Sequence, residues 1–202
     1  ALPGSHGVLG GPARTFMDFM HQAGLTVWQT LPLGPTHPDL SPYQSLSAHA
    51  GNPALIDLND LVDCGLLKSN EVDQANRQQL MAAAAERFLA GKTTGTHPTK
   101  EGFAQFRQRN AYWLEDYCLF GAIRETLERD HWLAWPEPLR DRHPAALQHF
   151  AARHQDRINR IAFEQFLFQE QWQALRDYGK ARGILLFGDI PIFVAHDSAD
   201  VW

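Results

Sequence analysis

The 202-residue sequence has little of several features that would point to particular protein classes. No stretch approaches the roughly eighteen consecutive apolar residues of a membrane-spanning helix. The first residues, ALPGSHGVLGGPAR, lack the charged segment and apolar core of a secretory signal peptide. A net charge of -5 and a pI near 6.0 provide no positive excess for phosphate backbones. We therefore expect neither a membrane nor a nucleic acid as a partner.

The sequence also has few cysteines and no metal-binding pattern. Its ten histidines are scattered, and none forms an H-x-x-x-H pair beside a carboxylate. Cys64 and Cys118 are far apart, in segments with a helical pattern, and there is no C-x-x-C motif. We expect two free buried thiols, no structural metal, no cofactor and a cytoplasmic location.

The first part of the chain, residues 1–56, combines a helical and a strand pattern. PARTFMDFMHQAG predicts a helix that places Phe16, Phe19 and Met20 on one face and ends near Gly24. The apolar residues between Leu25 and Leu33 predict a buried strand, because glycine and proline stand on both sides of them. A long polar loop is expected to follow this strand.

The rest of the chain is helical until its last twenty residues. Residues 57–182 are rich in strong helix formers with apolar residues at helical spacing. In the last predicted helix the residues expected in the core are Ile158, Ile161, Phe166, Trp172 and Leu175. ILLFGDIPIFV, at the start of residues 183–202, is nearly unbroken in apolar character, which is typical of a strand covered on both faces.

This order of elements predicts an α/β fold, namely an incomplete (β/α)8 TIM barrel with a large helical insertion between consecutive strands. Only two complete strands are predicted, whereas a closed barrel of this type needs eight. The predicted organisation is a barrel segment at residues 1–56, a helical insertion subdomain at residues 57–182, and a barrel strand with its following loop at residues 183–202.

Three sequence blocks resemble those of the 4-alpha-glucanotransferases, the amylomaltase or disproportionating-enzyme family. They are WQTLPLGPTHPDLSPYQSLSAHAGNPALIDLNDLV, WLEDYCLFGAI and GDIPIFVAHDSADVW, and they occur in the family's order across almost the whole chain. The resemblance implies the N-terminal portion of a (β/α)8 barrel enzyme. Such an enzyme cuts an α-1,4-glucan or maltodextrin donor and passes the glucanosyl piece to glucose or a maltodextrin acceptor.

The resemblance places the catalytic carboxylates outside these residues. Retaining transfer requires a carboxylate nucleophile and a carboxylic acid that protonates the leaving oxygen. In the family the nucleophile belongs to an R-x-D-H block, so both groups are expected after Trp202. ERDHWLAWP contains Arg129, Asp130 and His131, but Glu128 stands where the arginine should be, which favours a solvated helix end. The alternative to a glucanotransferase function is that the chain is a catalytically silent glycan-binding fragment.

The resemblance also implies substrate-binding residues within the chain. Tyr43, in SPYQS, is expected to stack on a sugar or, alternatively, to pack its own loop. Ser41 and Gln44 either contact sugar or hold that loop through hydrogen bonds to the backbone. Asp197 is expected to accept hydrogen bonds from sugar hydroxyls. Asp189 either does the same or orders the rim of the barrel, since a charge in an apolar run is costly unless it is paired.

Other polar residues near these blocks are interpreted differently. His196 and Asp200 are expected to be solvated or structural. The loop before SPYQ contains His37, Pro38 and Asp39, where many family members have glycines and an aromatic residue. Because of that departure, the resemblance does not imply that this protein prefers long glucans.

Overall fold

The computed structural model describes residues 7–72, 74–94, 97–129 and 131–202. This part of the chain is mostly helical and contains a small parallel sheet. The helices are α1 (Gly11–Gln22), α2 (Leu58–Asp63), α3 (Ser69–Val72), α4 (Arg77–Leu89), α5 (Lys100–Leu127), α6 (Glu137–Arg140), α7 (Pro144–Arg153) and α8 (Gln155–Lys180). The strands are β1 (Val27–Gln29) and β2 (Leu185–Phe187), and single 3-10 turns cover Pro53–Leu55 and Trp132–Ala134. Within the described ranges, every helix is too short or too polar to cross a membrane.

Helix α1 confirms the first predicted helix and two of the three residues of its predicted face, since Met20 is buried and Phe16 packs against the core. The helix ends just before Gly24, whose φ of 71° is a conformation that glycine adopts without strain. Its buried residues are Ala13, Met17 and Met20, whereas Phe19 is exposed. Because α1 packs against α8, the buried stripe follows the i, i+4, i+7 series from Ala13, and Phe19 lies to one side of it.

The core lies where the long helices α5 and α8 pack together with α4. Both α4 and α5 begin at a polar cap, since the Asn76 side chain accepts from the Gln79 N–H and that of Thr99 from the Gly102 N–H. A cluster of interlocking rings joins the three helices: Phe88, Phe103, Phe106, Phe163 and Phe166. The core residues predicted for α8 are buried, except that Trp172 is only partly so.

The two cysteines are free, and they differ in burial. Cys118 is buried in the core beside the α5–α8 contact, and burial raises the pKa of its thiol to about 12. Cys64 is half-buried, which corrects the expectation that both thiols are buried. Burial also raises the pKa of the Cys64 thiol.

The sheet corrects the predicted strands in both length and burial. β1 and β2 pair in parallel, with Val27 opposite Leu185, as neighbouring barrel strands would. Each strand has three residues, and the apolar residues after β2 are exposed, Ile192 by 90%. Among the described residues the sheet has only these two strands, and its residues Val27, Leu185 and Phe187 are exposed. This sheet does not close into a barrel, and it does not confirm an incomplete one. The predicted domain boundaries stay a prediction.

Two buried glutamines of α8 fix the segment that follows the long loop after β1. The Gln165 side chain accepts from the Gly51 N–H at 2.8 Å and donates to the Gly51 carbonyl at 2.9 Å. Gln171 makes the same pair of bonds with Asp57, at 2.7 and 2.9 Å. Each glutamine thus replaces the partner that a neighbouring strand would give to buried backbone. This arrangement anchors residues 51–57 on α8.

Candidate functional site

An open cavity of about 930 Å³ lies between the loop after β1 and the loop after β2. Both loops leave the carboxyl ends of parallel strands, so they meet at the same edge of the sheet. The five residues predicted to bind substrate all line this cavity: Ser41, Tyr43, Gln44, Asp189 and Asp197. Apolar side chains of the second loop, including Ile192 and Phe193, line it as well. We call this cavity the groove.

Tyr43 and Asp189 join the two loops directly. The Tyr43 hydroxyl donates to Asp189 Oδ2 at 2.9 Å, across 146 positions of sequence. The other Asp189 oxygen, Oδ1, accepts from the Ile190 N–H at 2.9 Å. Tyr43 remains 48% exposed, so its ring is accessible from the groove. The tyrosine therefore holds the two loops together and still presents an aromatic surface.

The hydrogen bond to Asp189 raises the pKa of the Tyr43 phenol above its ordinary value of 10.0, because the carboxylate accepts only from the protonated form. The stabilisation from this bond is complete below the ordinary pKa and is lost as the pH rises through the raised one. We expect Asp189→Asn to lower the pKa of Tyr43 towards its ordinary value. Phenolate absorbance during an alkaline titration measures this, with Tyr43→Phe identifying the signal of Tyr43.

Asp39→Asn serves as the control for that titration, since Asp39 lies in the same loop and accepts from the Ser41 N–H at 3.1 Å. This variant removes a carboxylate charge without removing the partner of Tyr43. An equally large pKa change in both variants would show that overall loop charge, and not the hydrogen bond, raises the pKa of Tyr43.

Asp197, in the loop after β2, lines the same groove and is held by residues around the end of α5. Arg124 Nη1 donates to Asp197 Oδ2 at 2.7 Å, and the Trp132 N–H donates to Oδ1 at 3.3 Å. The Nδ1 atoms of His37 and His131 lie 3.7 and 3.9 Å from the carboxylate oxygens. The Asp197 side chain is 12% exposed. It is thus a partly buried carboxylate with basic groups on several sides.

Ser41 and Gln44 form the turn that carries Tyr43. The Gln44 N–H donates to the Ser41 carbonyl at 3.3 Å, and Asp39 caps the start of the turn. These bonds use the backbone of both residues, and their side chains line the groove. The structure therefore supports a loop-forming role for the backbone and leaves a ligand role for the side chains as a prediction.

His196 and Asp200 have partners that fit structural roles. Asp200 accepts from the Ala48 N–H at 2.7 Å and from the Ser47 hydroxyl at 3.2 Å, so it ties the chain end to the loop after β1. The His196 ring stacks on Trp132, with 5.6 Å between ring centroids, and lines the groove.

Sequence reasoning did not assign a site role to several residues that lie at the groove or contact its carboxylates. Arg124 lies inside a long helix. Its partner Asp197 is 73 positions away in sequence, so no local spacing connects the two residues. His37 stands in the loop that departs from the family blocks, and His131 belongs to the rejected R-x-D-H resemblance. Asp130, from the same stretch, lies outside the described residues. In the described part of the chain, no group of histidine, cysteine and carboxylate side chains is arranged to hold a metal ion.

The groove combines an accessible aromatic ring from one sequence block, that of Tyr43, with two carboxylates from another, those of Asp189 and Asp197. Comparison with known proteins gives the same assignment as the blocks, since the family model described as 4-alpha-glucanotransferase matches residues 1–202. The chain belongs to the 4-alpha-glucanotransferase family. A 4-alpha-glucanotransferase of Thermus thermophilus is 43% identical over 212 residues, and a chloroplastic/amyloplastic one of Solanum tuberosum is 39% identical over 223 residues.

These relatives are much longer than the 202 residues compared with them. The alignments cover all of this chain but only 42% of the Thermus protein and 38% of the Solanum protein. An amylomaltase from Streptococcus agalactiae, solved in complex with acarbose, superposes with a TM-score of 0.91 at 29% identity. That match covers 100% of this chain and 43% of the amylomaltase. The chain thus spans less than half the length of the relatives it matches.

Proposed function

We propose that this chain is the N-terminal part of a 4-alpha-glucanotransferase, which moves α-1,4-glucan segments from a glucan or maltodextrin donor to glucose or a maltodextrin acceptor. The observation that carries the proposal is the groove, because Tyr43 and the two aspartates converge there from separate family blocks. We further propose that β1 and β2 are neighbouring strands of a (β/α)8 barrel and that residues 57–182 form its helical insertion. A cytoplasmic location stays a prediction.

The groove residues suit the binding of a neutral sugar chain. The exposed ring of Tyr43 offers a flat apolar surface to the C–H face of a glucose unit. Asp189 and Asp197 each accept protein hydrogen bonds at both oxygens. A carboxylate has about four acceptor positions, so each can accept further bonds from sugar hydroxyls. The side chains of Ser41 and Gln44 add neutral groups that both donate and accept.

Neither groove aspartate is assigned as the nucleophile or the general acid. A retaining double displacement needs one carboxylate oxygen directed at the anomeric carbon and a second carboxyl group about 5 Å away that carries a proton. Asp189 is bonded to Tyr43 and Asp197 to Arg124, and these contacts suit groups that bind and orient a sugar. In this proposal, the two catalytic carboxylates come from the part of the polypeptide that follows residue 202.

Maltotriose disproportionation tests the function. We expect the complete polypeptide that contains these residues to convert maltotriose into glucose and longer maltodextrins, and the 202-residue chain alone to produce neither. Chromatography of the products measures both. Turnover by the 202-residue chain would contradict the placement of the catalytic carboxylates. Failure of the complete polypeptide, with maltotriose binding retained in calorimetry, would instead favour the silent glycan-binding alternative.

A further inference from the structure

The Asp197 carboxylate is the point where the end of α5 meets the groove. Its strongest partner is Arg124, at 2.7 Å, and the two side chains are only 12% and 15% exposed. Its second donor, the Trp132 N–H, belongs to the short turn that follows α5. These two donors therefore come from one end of the helical region, although Asp197 itself lies in the loop after β2.

The backbone around Asp197 is attached to the same turn. Trp132 Nε1 donates to the His196 carbonyl at 2.9 Å, and the two rings stack at an interplanar angle of 26°. On the other side, the buried Ser198 donates its hydroxyl to the Ala195 carbonyl at 2.6 Å. The loop is therefore held before and after Asp197, and the orientation of the carboxylate is set mainly by Arg124, the shorter of its two hydrogen-bond contacts.

The Arg124–Asp197 pair is short and shielded from solvent, so it is more directional than an ordinary surface pair. Exposed ion pairs contribute little to stability, because water screens the charges and two long side chains lose freedom. A short N–H to carboxylate bond in a partly buried place is stronger and more directional. Arg124 is pre-organised by its planar group, so it holds the carboxylate in one orientation and leaves acceptor positions that face the groove.

We propose that Arg124 is a positioning residue for glucan binding, which acts through Asp197: it turns the Asp197 carboxylate towards a sugar hydroxyl pair and so links the end of α5 to substrate affinity. This inference rests on the proposed function. Arg124 does not contact the sugar in this scheme. Loss of Arg124 leaves Asp197 in the groove but lets its carboxylate rotate, so binding weakens while the reacting groups are unchanged.

Kinetics of the complete polypeptide with maltotriose test the proposal. We expect Arg124→Met to raise KM about tenfold, on the scale of one charge-assisted hydrogen bond, and to change kcat by less than about twofold. Arg124→Lys keeps the charge and one donor, so it should recover part of the affinity. Asp197→Asn should raise KM at least as much, and the double variant should be no worse than Asp197→Asn alone, because both changes remove the same interaction.

Arg157→Met is the matched control. Arg157 lies on α8 and pairs at 3.4 Å with Glu125, which is one position after Arg124 on α5. Arg157 does not line the groove. The control therefore removes an ion pair from the same helix and should leave KM unchanged. A purely structural role for Arg124 would lower the unfolding temperature of Arg124→Met without this selective rise in KM.

The outcomes separate this inference from the proposed function. An unchanged KM in Arg124→Met, with a raised KM in Asp197→Asn, overturns the inference alone. A rise in the KM of the double variant that equals the product of the two single rises overturns it as well, since the residues would then act independently. If Arg124→Met does not fold, Arg124→Gln decides, with an expected rise of about fivefold and an unchanged KM as the contrary result. Absence of turnover in the unsubstituted complete polypeptide is failure of the proposed function.

Discussion

Replacement of Gln165 by leucine should lower the free energy of unfolding by about 3 kcal/mol, as measured by urea denaturation of the chain. Gln165 is 2% exposed and is bonded to both the N–H and the carbonyl of Gly51. Leucine has a similar volume, so packing changes little. It leaves two buried backbone groups without a partner, and each costs about 1 to 3 kcal/mol.

Gln173→Leu provides the control for Gln165, because Gln173 lies on the exposed side of α8 and bonds only to Asp177 among the described residues. We expect that variant to stay within about 0.5 kcal/mol of the unsubstituted chain. Gln165→Glu should also destabilise, since glutamate loses the donor that reaches the Gly51 carbonyl. Equal denaturation midpoints for Gln165→Leu and Gln173→Leu would show that water satisfies the backbone of Gly51.

Gly51→Ala is expected to destabilise the chain by about 3 kcal/mol, at the upper end of the usual cost of overpacking. A Cβ atom at Gly51 would lie 2.1 Å from Cδ1 of Phe168, far inside the contact distance, and the ring belongs to the packed face of α8. The backbone of Gly51 does not have a positive φ, so close approach to Phe168 is the reason for glycine. Thermal or urea unfolding measures the change.

Gly11→Ala is the matched substitution for Gly51→Ala. Nothing lies within 4 Å of a Cβ at Gly11, which begins α1, so alanine there should leave stability equal or slightly higher. Combining Gly51→Ala with Phe168→Leu should cost less than the sum of the two single changes, because leucine makes room for the new methyl group. Strict additivity in this pair would contradict the steric explanation.

The helices were predictable from the sequence because their causes are local. Helical spacing of apolar residues and the glycine after α1 place these elements correctly. The buried face of α1 was only partly predictable from local pattern, since it depends on α8. The strands were predicted too long and too buried, because the apolar run of Ile184–Val194 indicates a covered sheet, whereas the described residues supply two short strands.

The meeting of the candidate substrate-binding residues at one cavity was predictable only where a sequence block marks them, and their role in binding stays a prediction. Tyr43, Asp189 and Asp197 belong to such blocks, and the structure brings all three to one groove. The contacts that hold them were not predictable, because they join distant positions without a recurring spacing. Arg124 is one of several arginines in the helical region. Nothing local distinguishes it from Arg157, which lies on α8 and pairs with Glu125 of α5.

The parallel pairing of Val27 with Leu185 has a consequence for the order of folding. The chain between β1 and β2 must close into a long loop before any strand contact is made, and this closure costs chain entropy. The turns of α5 and α8, by contrast, form between neighbours in sequence. We therefore expect the helices to gain protection from hydrogen exchange first and the β1–β2 amides last. The Tyr43–Asp189 bond spans almost the same separation, so the groove takes its shape only in the final stage of folding.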